Sequence, residues 1–438
     1  MNVNHRFLKK FECEIIPLYK SLLSRGTLKN SHRICNFYSK YDKSPYLPVG
    51  AHGPWIITDK QKIVYDVGGY GMLGFGHNPS WLLHVLSKPH VMANVMTPSY
   101  EQENICKLLS NKTNYDKFAF LNSGSEGIEF TLRYVDRINK MKNNNNLETV
   151  FINLKSSFHG RTMNAASISN SCKNVYLDKT NNLGELIGKV NSVEINNILD
   201  FDKCSDKLMN QNKQIMGVIM EPVMGEGNPG EALTPEFYNF VRSKTKKYNI
   251  PLVIDSVQAG LRTNGCLSIS EYNNFQDFDI PDFEIFSKAI TGGHYPLSII
   301  GINKKYSNIN IEGIYGNSMC ANPKALDICE KALNIFYSRY TKNVVEMGEL
   351  FKQMLQELKE KYPKIITNVN GTGLLLSAEI DGKYPVSGYN SLEYKLRNTG
   401  LNVIHGGKNA LRFTPHFGIN KNEIILVSNL LDNVFSKL

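Results

Sequence analysis

No stretch of this 438-residue chain approaches the roughly 20 consecutive apolar residues that a membrane-spanning helix needs, so a soluble protein with no membrane partner is expected. No two cysteines form a CxxC pair. The eight thiols (Cys13, Cys35, Cys106, Cys172, Cys204, Cys266, Cys320 and Cys329) stand singly and without closely spaced histidines, which argues against a metal site and fits a reducing compartment. No internal repeat is present, and the one low-complexity run, Asn143 to Asn146, follows the basic Lys140-Met-Lys and reads as a surface loop. No secretory signal is expected either. Phe7, Phe11, Ile15, Leu18 and Leu22 recur at near-helical spacing, but Glu12 and Glu14 interrupt the apolar core that a signal requires. An amphipathic helix packing on a partner subunit is expected there, and a cytoplasmic location, although the basic start leaves organelle import open. The net charge of +10 is dispersed and shows no nucleic-acid motif, so it reads as a solvated surface that attracts anionic ligands, with no nucleic-acid partner.

The length allows one large domain of about 250 residues and a smaller one. Val150-Phe-Ile-Asn-Leu, Met216-Gly-Val-Ile-Met, Leu252-Val-Ile-Asp and Phe283-Glu-Ile-Phe read as buried strands. They alternate with helical patterns at 125–140, 235–247, 323–340 and 343–361, the last ended by Tyr362-Pro363. Such alternation predicts an α/β fold with a mostly parallel sheet flanked by helices. The remaining tail, a strand at 373–379, a helix at 392–398 and a final strand and helix beyond Leu411, predicts a small α+β domain. In open α/β sheets ligands bind outside the carboxyl ends of the strands.

Three strand ends carry chemistry. Phe118 to Leu121 runs into Asn122-Ser-Gly124-Ser125-Glu-Gly and a helix, whose free amides could bind phosphate, although most such turns are only caps. Val253-Ile-Asp255 ends in a carboxylate that either caps a turn or faces a ring nitrogen, and the two roles predict different burial. Lys288 follows Phe283-Glu-Ile-Phe-Ser directly. A lysine is usually a solvated charge, but in a partly buried site its pKa falls and its neutral amine can attack an aldehyde.

Taken in order, the phosphate turn, the aromatic Phe158, Asp255 and Lys288 resemble the class III aminotransferases of ornithine and acetylornithine type, from about Val64 to the C-terminus. Leu73-Gly-Phe-Gly-His-Asn-Pro79 is similar to a shortened Gly-His-x-His-Pro segment of that family. Asn122-Ser-Gly-Ser-Glu is similar to its phosphate turn, Phe158-His-Gly-Arg161-Thr to its aromatic-x-Gly-Arg-Thr signature and Asp255-Ser-Val257-Gln258 to its Asp-Glu-Val-Gln. Glu221-Pro-Val-Met-Gly-Glu226, Leu411-Arg412-Phe-Thr-Pro and Tyr315-Gly-Asn-Ser318-Met-Cys-Ala-Asn-Pro323 resemble three further segments. Ser256 in place of glutamate, Asn317, Cys320 and Ala321 depart from the pattern.

The resemblance implies a fold-type-I transferase with pyridoxal 5'-phosphate as cofactor. It implies a helical arm at 1–45, part of the small domain at 46–75, a large cofactor-binding domain at 76–325 and the rest of the small domain at 326–438. Lys288 would carry the cofactor and Asp255 would protonate its ring nitrogen. Gly124 and Ser125 would hold the phosphate, Phe158 and Val257 the ring, Gln258 its hydroxyl, and Ser318 the phosphate of the other subunit in a homodimer with a shared active site. Arg412 covered by Glu226 would hold a substrate carboxylate, with Arg161 and Tyr70 orienting the amine donor. The implied reaction moves an amino group from a diamino acid or related amine to a 2-oxo acid such as 2-oxoglutarate. A racemase or epimerase on the same scaffold, or a non-enzymatic protein that keeps the fold, are the alternatives.

Overall fold

The computed structural model describes residues 45–92, 96–142, 147–171 and 189–438. The N-terminal amphipathic pattern, Cys13, Cys35, Cys172 and the Asn143 to Asn146 run lie outside the described residues.

A short antiparallel meander comes first: β1 (Pro48–His52), β2 (Trp55–Thr58) and β3 (Ile63–Asp66). Helices α1 (Ser80–Leu86) and α2 (Tyr100–Thr113) follow, the latter started by a Ser99 capping box with Gln102. The central sheet has seven strands: β4 (Lys117–Leu121), β5 (Thr149–Leu154), β6 (Lys189–Val193), β7 (Gln214–Met220), β8 (Leu252–Asp255), β9 (Phe283–Phe286) and β10 (Ser298–Ile302). Their spatial order is β4-β10-β9-β8-β7-β5-β6. Between them run α3 (Gly124–Met141), α4 (Met163–Ile168), α5 (Ile198–Asn210) and α6 (Pro235–Lys247).

Strands β7, β8 and β9 are buried almost throughout because helices cover both faces, which is why they read as continuous apolar runs. On one face Ile128, Leu132 and Val135 of α3 share a core with Val253, Phe283 and Ile285. On the other, Phe201 of α5 and Phe237 and Val241 of α6 pack with Leu252 and Ile254. Each fully buried side chain of this size contributes about 1.5–3 kcal/mol relative to exposure.

All pairings among β5 to β9 are parallel, and β10 runs antiparallel to both β9 and β4. So β4 points the same way as β9. The carboxyl ends of β4, β9, β8, β7 and β5 therefore lie along one edge, which is where the three chemistry-bearing strand ends meet.

The C-terminal part begins with α7 (Pro323–Arg339) and α8 (Thr341–Lys361). It continues with β11 (Ile366–Thr372), β12 (Leu375–Ile380), α9 (Leu392–Thr399), β13 (Leu401–Asn402), β14 (Ile404–Gly406), β15 (Ala410–Phe413) and α10 (Lys421–Phe435). Four strands form an antiparallel sheet in the order β11-β12-β15-β14, while β13 leaves them and pairs in parallel with β3, Leu401 opposite Tyr65. The opening meander, β6, β10, β11, β13 and β14 go beyond the strands read from the sequence.

Candidate active site

The strand edge encloses a cavity of about 400 Å³ lined by Gly124, Ser125, Phe158, Glu226, Asp255, Val257, Gln258 and Lys288 among others. Eight of the residues singled out in the sequence, distant along the chain, thus meet in one place.

Lys288 stands two residues beyond the end of β9 with φ +51°, the left-handed region that a non-glycine residue occupies at a cost of order 1–3 kcal/mol. The Ser287 hydroxyl anchors this corner by donating to the Leu297 carbonyl at 2.6 Å. Lys288 Nζ lines the cavity and donates to Gln258 Oε1 at 2.6 Å. Burial, and then the nearby Arg412 guanidinium, bring its ammonium down to about 8. Gln258 is held in turn by its Nε2, which donates to the Gly225 carbonyl at 3.0 Å. A Cβ on Gly225 would lie 2.6 Å from Gln258 Cδ, so only glycine permits this approach.

Asp255 caps its turn and is buried as well. Its Oδ1 accepts from the Val257 N–H at 3.1 Å, which caps the turn. Its Oδ2 lies 2.8 Å from His159 Nδ1, and the residue is 5% exposed, the burial that the ring-nitrogen role requires. The carboxylate identifies Nδ1 as the protonated ring nitrogen. His159 Nε2 is buried with no hydrogen-bond partner among the described residues. Behind them Glu221 accepts from the Phe158 and Gly225 N–H groups, both at 2.9 Å. Burial pushes its carboxyl up to about 7, opposed by His159 and reinforced by Asp255. His159 and Glu221 are neighbours of Asp255 to which the sequence reading assigned no role. His159 was the unspecified letter in the aromatic-x-Gly-Arg-Thr pattern.

At the carboxyl end of β4 the N-terminal turn of α3 presents Gly124 and Ser125 to the cavity, capped by Ser123, whose Oγ accepts from the Glu126 N–H at 3.3 Å. First-turn amides have no carbonyl one turn earlier to bond, so they attract an anion. A Cβ at Gly124 would sit 2.9 Å from Val257 Cγ1, so the glycine lets the turn and the Val257 loop close on one another. Glu126 folds back: Oε2 accepts from the Asn122 N–H and Ser123 hydroxyl, both at 3.2 Å, and Oε1 from Tyr315 at 3.2 Å and Asn317 Nδ2 at 2.8 Å. This fastens the 315–317 segment to the turn. Ser318, next along, is exposed and does not line the cavity of its own chain.

Arg412, on β15, is buried. Its Nη1 donates to the Gly225 carbonyl at 2.6 Å and stands 3.4 Å from Glu226 Oε2, and its guanidinium carbon is 5.9 Å from the Tyr70 ring centre. Burial lowers its pKa and Glu226 opposes that shift. Arg412 therefore reaches the cavity through Glu226. Arg161 is exposed outside the cavity lining, with its guanidinium 5.9 Å from the Phe158 ring centre.

The family profile described as Aminotransferase class-III matches residues 37–435. The chain belongs to the class III aminotransferases. Its relatives include an acetylornithine aminotransferase of Clostridium acetobutylicum, 30% identical over 84% of this chain and 90% of that one. Another is the acetylornithine aminotransferase of Prochlorococcus marinus, 26% identical over 94% and 96%. Among solved structures, the ornithine aminotransferase of Toxoplasma gondii, described with partial occupancy of pyridoxal phosphate at its active site, superposes with a TM-score of 0.80 at 20% identity, covering 96% of this chain and 97% of that one. The chain is an α/β, fold-type-I transaminase.

Pyridoxal phosphate is the cofactor of this class, and the residues present fit it. A helix N-terminus with a glycine where a Cβ would clash, a buried amine lowered to about 8 and a buried carboxylate are gathered around one cavity. Such groups could serve as the anion site, the nucleophile and the ring-nitrogen partner that an aldehyde-bearing pyridinium phosphate requires.

Proposed function

We propose that this aminotransferase moves the terminal amino group of a diamino acid, or of a related amine, to a 2-oxo acid such as 2-oxoglutarate by a ping-pong mechanism, with Lys288 as the residue that carries the cofactor and moves the proton. The observation that carries this reading is the placement of the Lys288 amine: buried, hydrogen-bonded to Gln258, and in the cavity whose wall includes Glu226 over Arg412. The names of the relatives supply the substrate class.

When bound, pyridoxal phosphate supplies an electron-withdrawing ring and stores the amino group between the two half-reactions. The chain's own residues do the rest. Amides of Gly124 and Ser125 would receive the phosphate, and Phe158, Val257 and Gln258, which line the same cavity, would hold the ring. Asp255, steadied by His159, would keep the ring nitrogen protonated. The Lys288 amine, buried in the cavity, would act as the general base and acid that moves the proton of the substrate carbon bearing the amino group. Arg412 binds a carboxylate of the 2-oxo acid; with the diamino donor, Glu226 covers that guanidinium. Arg161 and Tyr70 orient the donor. In a homodimer, Ser318 of the partner subunit adds its hydroxyl to the phosphate site, in keeping with its exposure here.

The pairing of β13 with β3 supports joining residues 46–75 to 326–438 as one small domain, with 76–325 as the large cofactor domain and 1–45 as an arm. The free thiols Cys106, Cys204, Cys266, Cys320 and Cys329 support a cytoplasmic compartment, and no helix among the described residues is long and apolar enough to cross a membrane.

The test is an absorbance spectrum of the purified protein with pyridoxal phosphate, then with candidate diamino acids, then with 2-oxoglutarate. A visible band that bleaches with the amine and returns with the oxo acid is expected. A band that never bleaches with any diamino acid overturns the donor assignment, and no band overturns that of Lys288.

A further inference from the structure

Glu284 lies on β9, four residues before Lys288, in the middle of the sheet, and its side chain is completely buried. Among the described residues no cation is bonded to it. Four neutral donors surround it instead: Oε1 accepts from the Ser256 hydroxyl and from the Ile269 N–H at 3.0 Å, and Oε2 from the Ser268 hydroxyl and from Tyr115 at 3.0 Å. Burial pushes the carboxyl up to about 7 against the pull of these donors. Removing a carboxylate from water costs several kcal/mol, so an apolar residue would serve a merely packed strand better.

The position of the donors shows what this carboxyl joins. Glu284 is paired across the strands with Ile254, so it emerges on the same face as Ile254, whereas Asp255 and Ile285 emerge on the opposite one. Ser256 follows Asp255 directly, its N–H donates to the Ile285 carbonyl at 3.0 Å, and its hydroxyl meets Glu284 behind the sheet. The segment 268–271 and Tyr115 are drawn to the same point. The carboxyl of Glu284 thus ties the strand end that carries Asp255 to the strand that carries Lys288, from the side away from the cavity.

Ser256 is also where the family's Asp-Glu-Val-Gln motif has its glutamate. We propose that Glu284 is a positioning residue of this active site, supplying from β9 the carboxylate that position 256 lacks and so fixing Asp255, Gln258 and Lys288 relative to one another. A carboxylate brought to the same point from position 256 would have the Ser268 and Tyr115 hydroxyls and the Ile269 N–H as donors, with a serine at 284 replacing the hydroxyl of Ser256. Carboxylates at both would face each other without water, and neither would leave the donors unpaired.

This inference rests on the assignment of Asp255 and Lys288 to the cofactor. It is tested with E284Q, S256E and the transposed double variant S256E/E284S, each reconstituted with pyridoxal phosphate. Two quantities are read: the cofactor dissociation constant and the pH midpoint of the bound cofactor's absorbance change. E284Q, which keeps the shape, is expected to bind the cofactor about tenfold more weakly and to shift the midpoint by about one unit. S256E is expected to be worse, and the transposition to recover most of the loss of either single change. If E284Q matches the wild type in both quantities, the proposal is overturned. Should the single variants fail to fold, a transposed protein that folds and binds supports it, and one that also fails overturns it. K288A alongside separates the two readings: loss of its visible band with an unaltered E284Q removes this inference alone, whereas a K288A that keeps the band removes the Lys288 assignment and this inference with it.

Discussion

His159 Nδ1 lies 2.8 Å from Asp255 Oδ2, and neither side chain reaches solvent to any useful extent. The other carboxylate oxygen is held by the Val257 N–H, so the two bonds together fix the plane of the carboxylate. Replacing His159 by Phe removes one of these donors and leaves a buried acceptor unpaired, at about 1–3 kcal/mol. The cofactor dissociation constant is therefore expected to rise between about fivefold and a hundredfold, as read by absorbance titration. An unchanged constant would mean that Val257 alone sets the orientation of Asp255.

The lysine amine at about 8 has two consequences of opposite kind. Only the neutral amine attacks an aldehyde, and at pH 7 that is about one-tenth of the population. Capture of pyridoxal phosphate by the apo-protein should accelerate with pH up to about 8 and level off above it, followed by stopped-flow absorbance. For stability, the unfolded chain, with lysine at its ordinary 10.5, binds more protons than the folded one between about 8 and 10.5. Apo-protein stability therefore gains from this group as pH rises through that window, and K288M should abolish the gain in denaturant titrations. Capture that keeps accelerating past pH 10 would show an unperturbed lysine.

Much of this site was legible because Gly124, Asp255 and Lys288 stand at or just beyond the ends of strands that read as apolar runs. The helix limits at Pro235 and Lys247, for example, follow from the Thr234 cap, the proline at the first position and the lysines in the last turn. What stayed hidden depends on distance. β10, Ser-Ile-Ile-Gly-Ile, is only five residues long, and nothing local says that it inserts antiparallel between β4 and β9. β13 has two residues, and its partner β3 is more than 300 positions earlier. His159 faces Asp255 across 96 residues of sequence, and Glu284 in Phe-Glu-Ile-Phe reads as a blemish in a strand until Ser256, Ser268 and Tyr115 are seen around it. Pairings of this kind are set by which strands become neighbours, which local patterns do not encode.

In the proposed reaction, Arg412 and Glu226 would bear on the choice of substrate. The guanidinium is buried and its Nη1 makes both contacts, a short one to the Gly225 carbonyl and a long one to Glu226, so the rest of the fork would be offered to a substrate carboxylate if Glu226 moved aside. Lysine keeps the charge but loses the planar pair of donors. R412K should raise KM for the 2-oxo acid by about tenfold, roughly 1.4 kcal/mol, while KM for the amine donor changes little. Steady-state kinetics with each substrate varied separately makes the comparison. Equal effects on both would place Arg412 in the general architecture of the site rather than in carboxylate binding.

A second buried ion pair offers a contrast, because it holds the fold without touching the cavity. Arg242 of α6 reaches Asp282, just before β9, with Nη1 at 2.8 Å from Oδ2 and Nη2 at 3.3 Å from Oδ1. Asp282 Oδ2 also accepts from the Leu252 N–H at 2.8 Å, so one carboxylate joins a helix to the starts of β8 and β9. Both side chains are buried, 8% and 1% exposed, and the pair raises the arginine's pKa further despite its burial. R242A would leave the Asp282 carboxylate in the core without its cation. Breaking such a pair costs about 3–5 kcal/mol, far above the worth of a surface bridge. Urea unfolding should therefore shift by about 3 kcal/mol with the cofactor dissociation constant unchanged below the transition. The amino ends of these strands are the edge opposite Lys288, so a loss of cofactor affinity in R242A would show that strand alignment is transmitted along their length to the site.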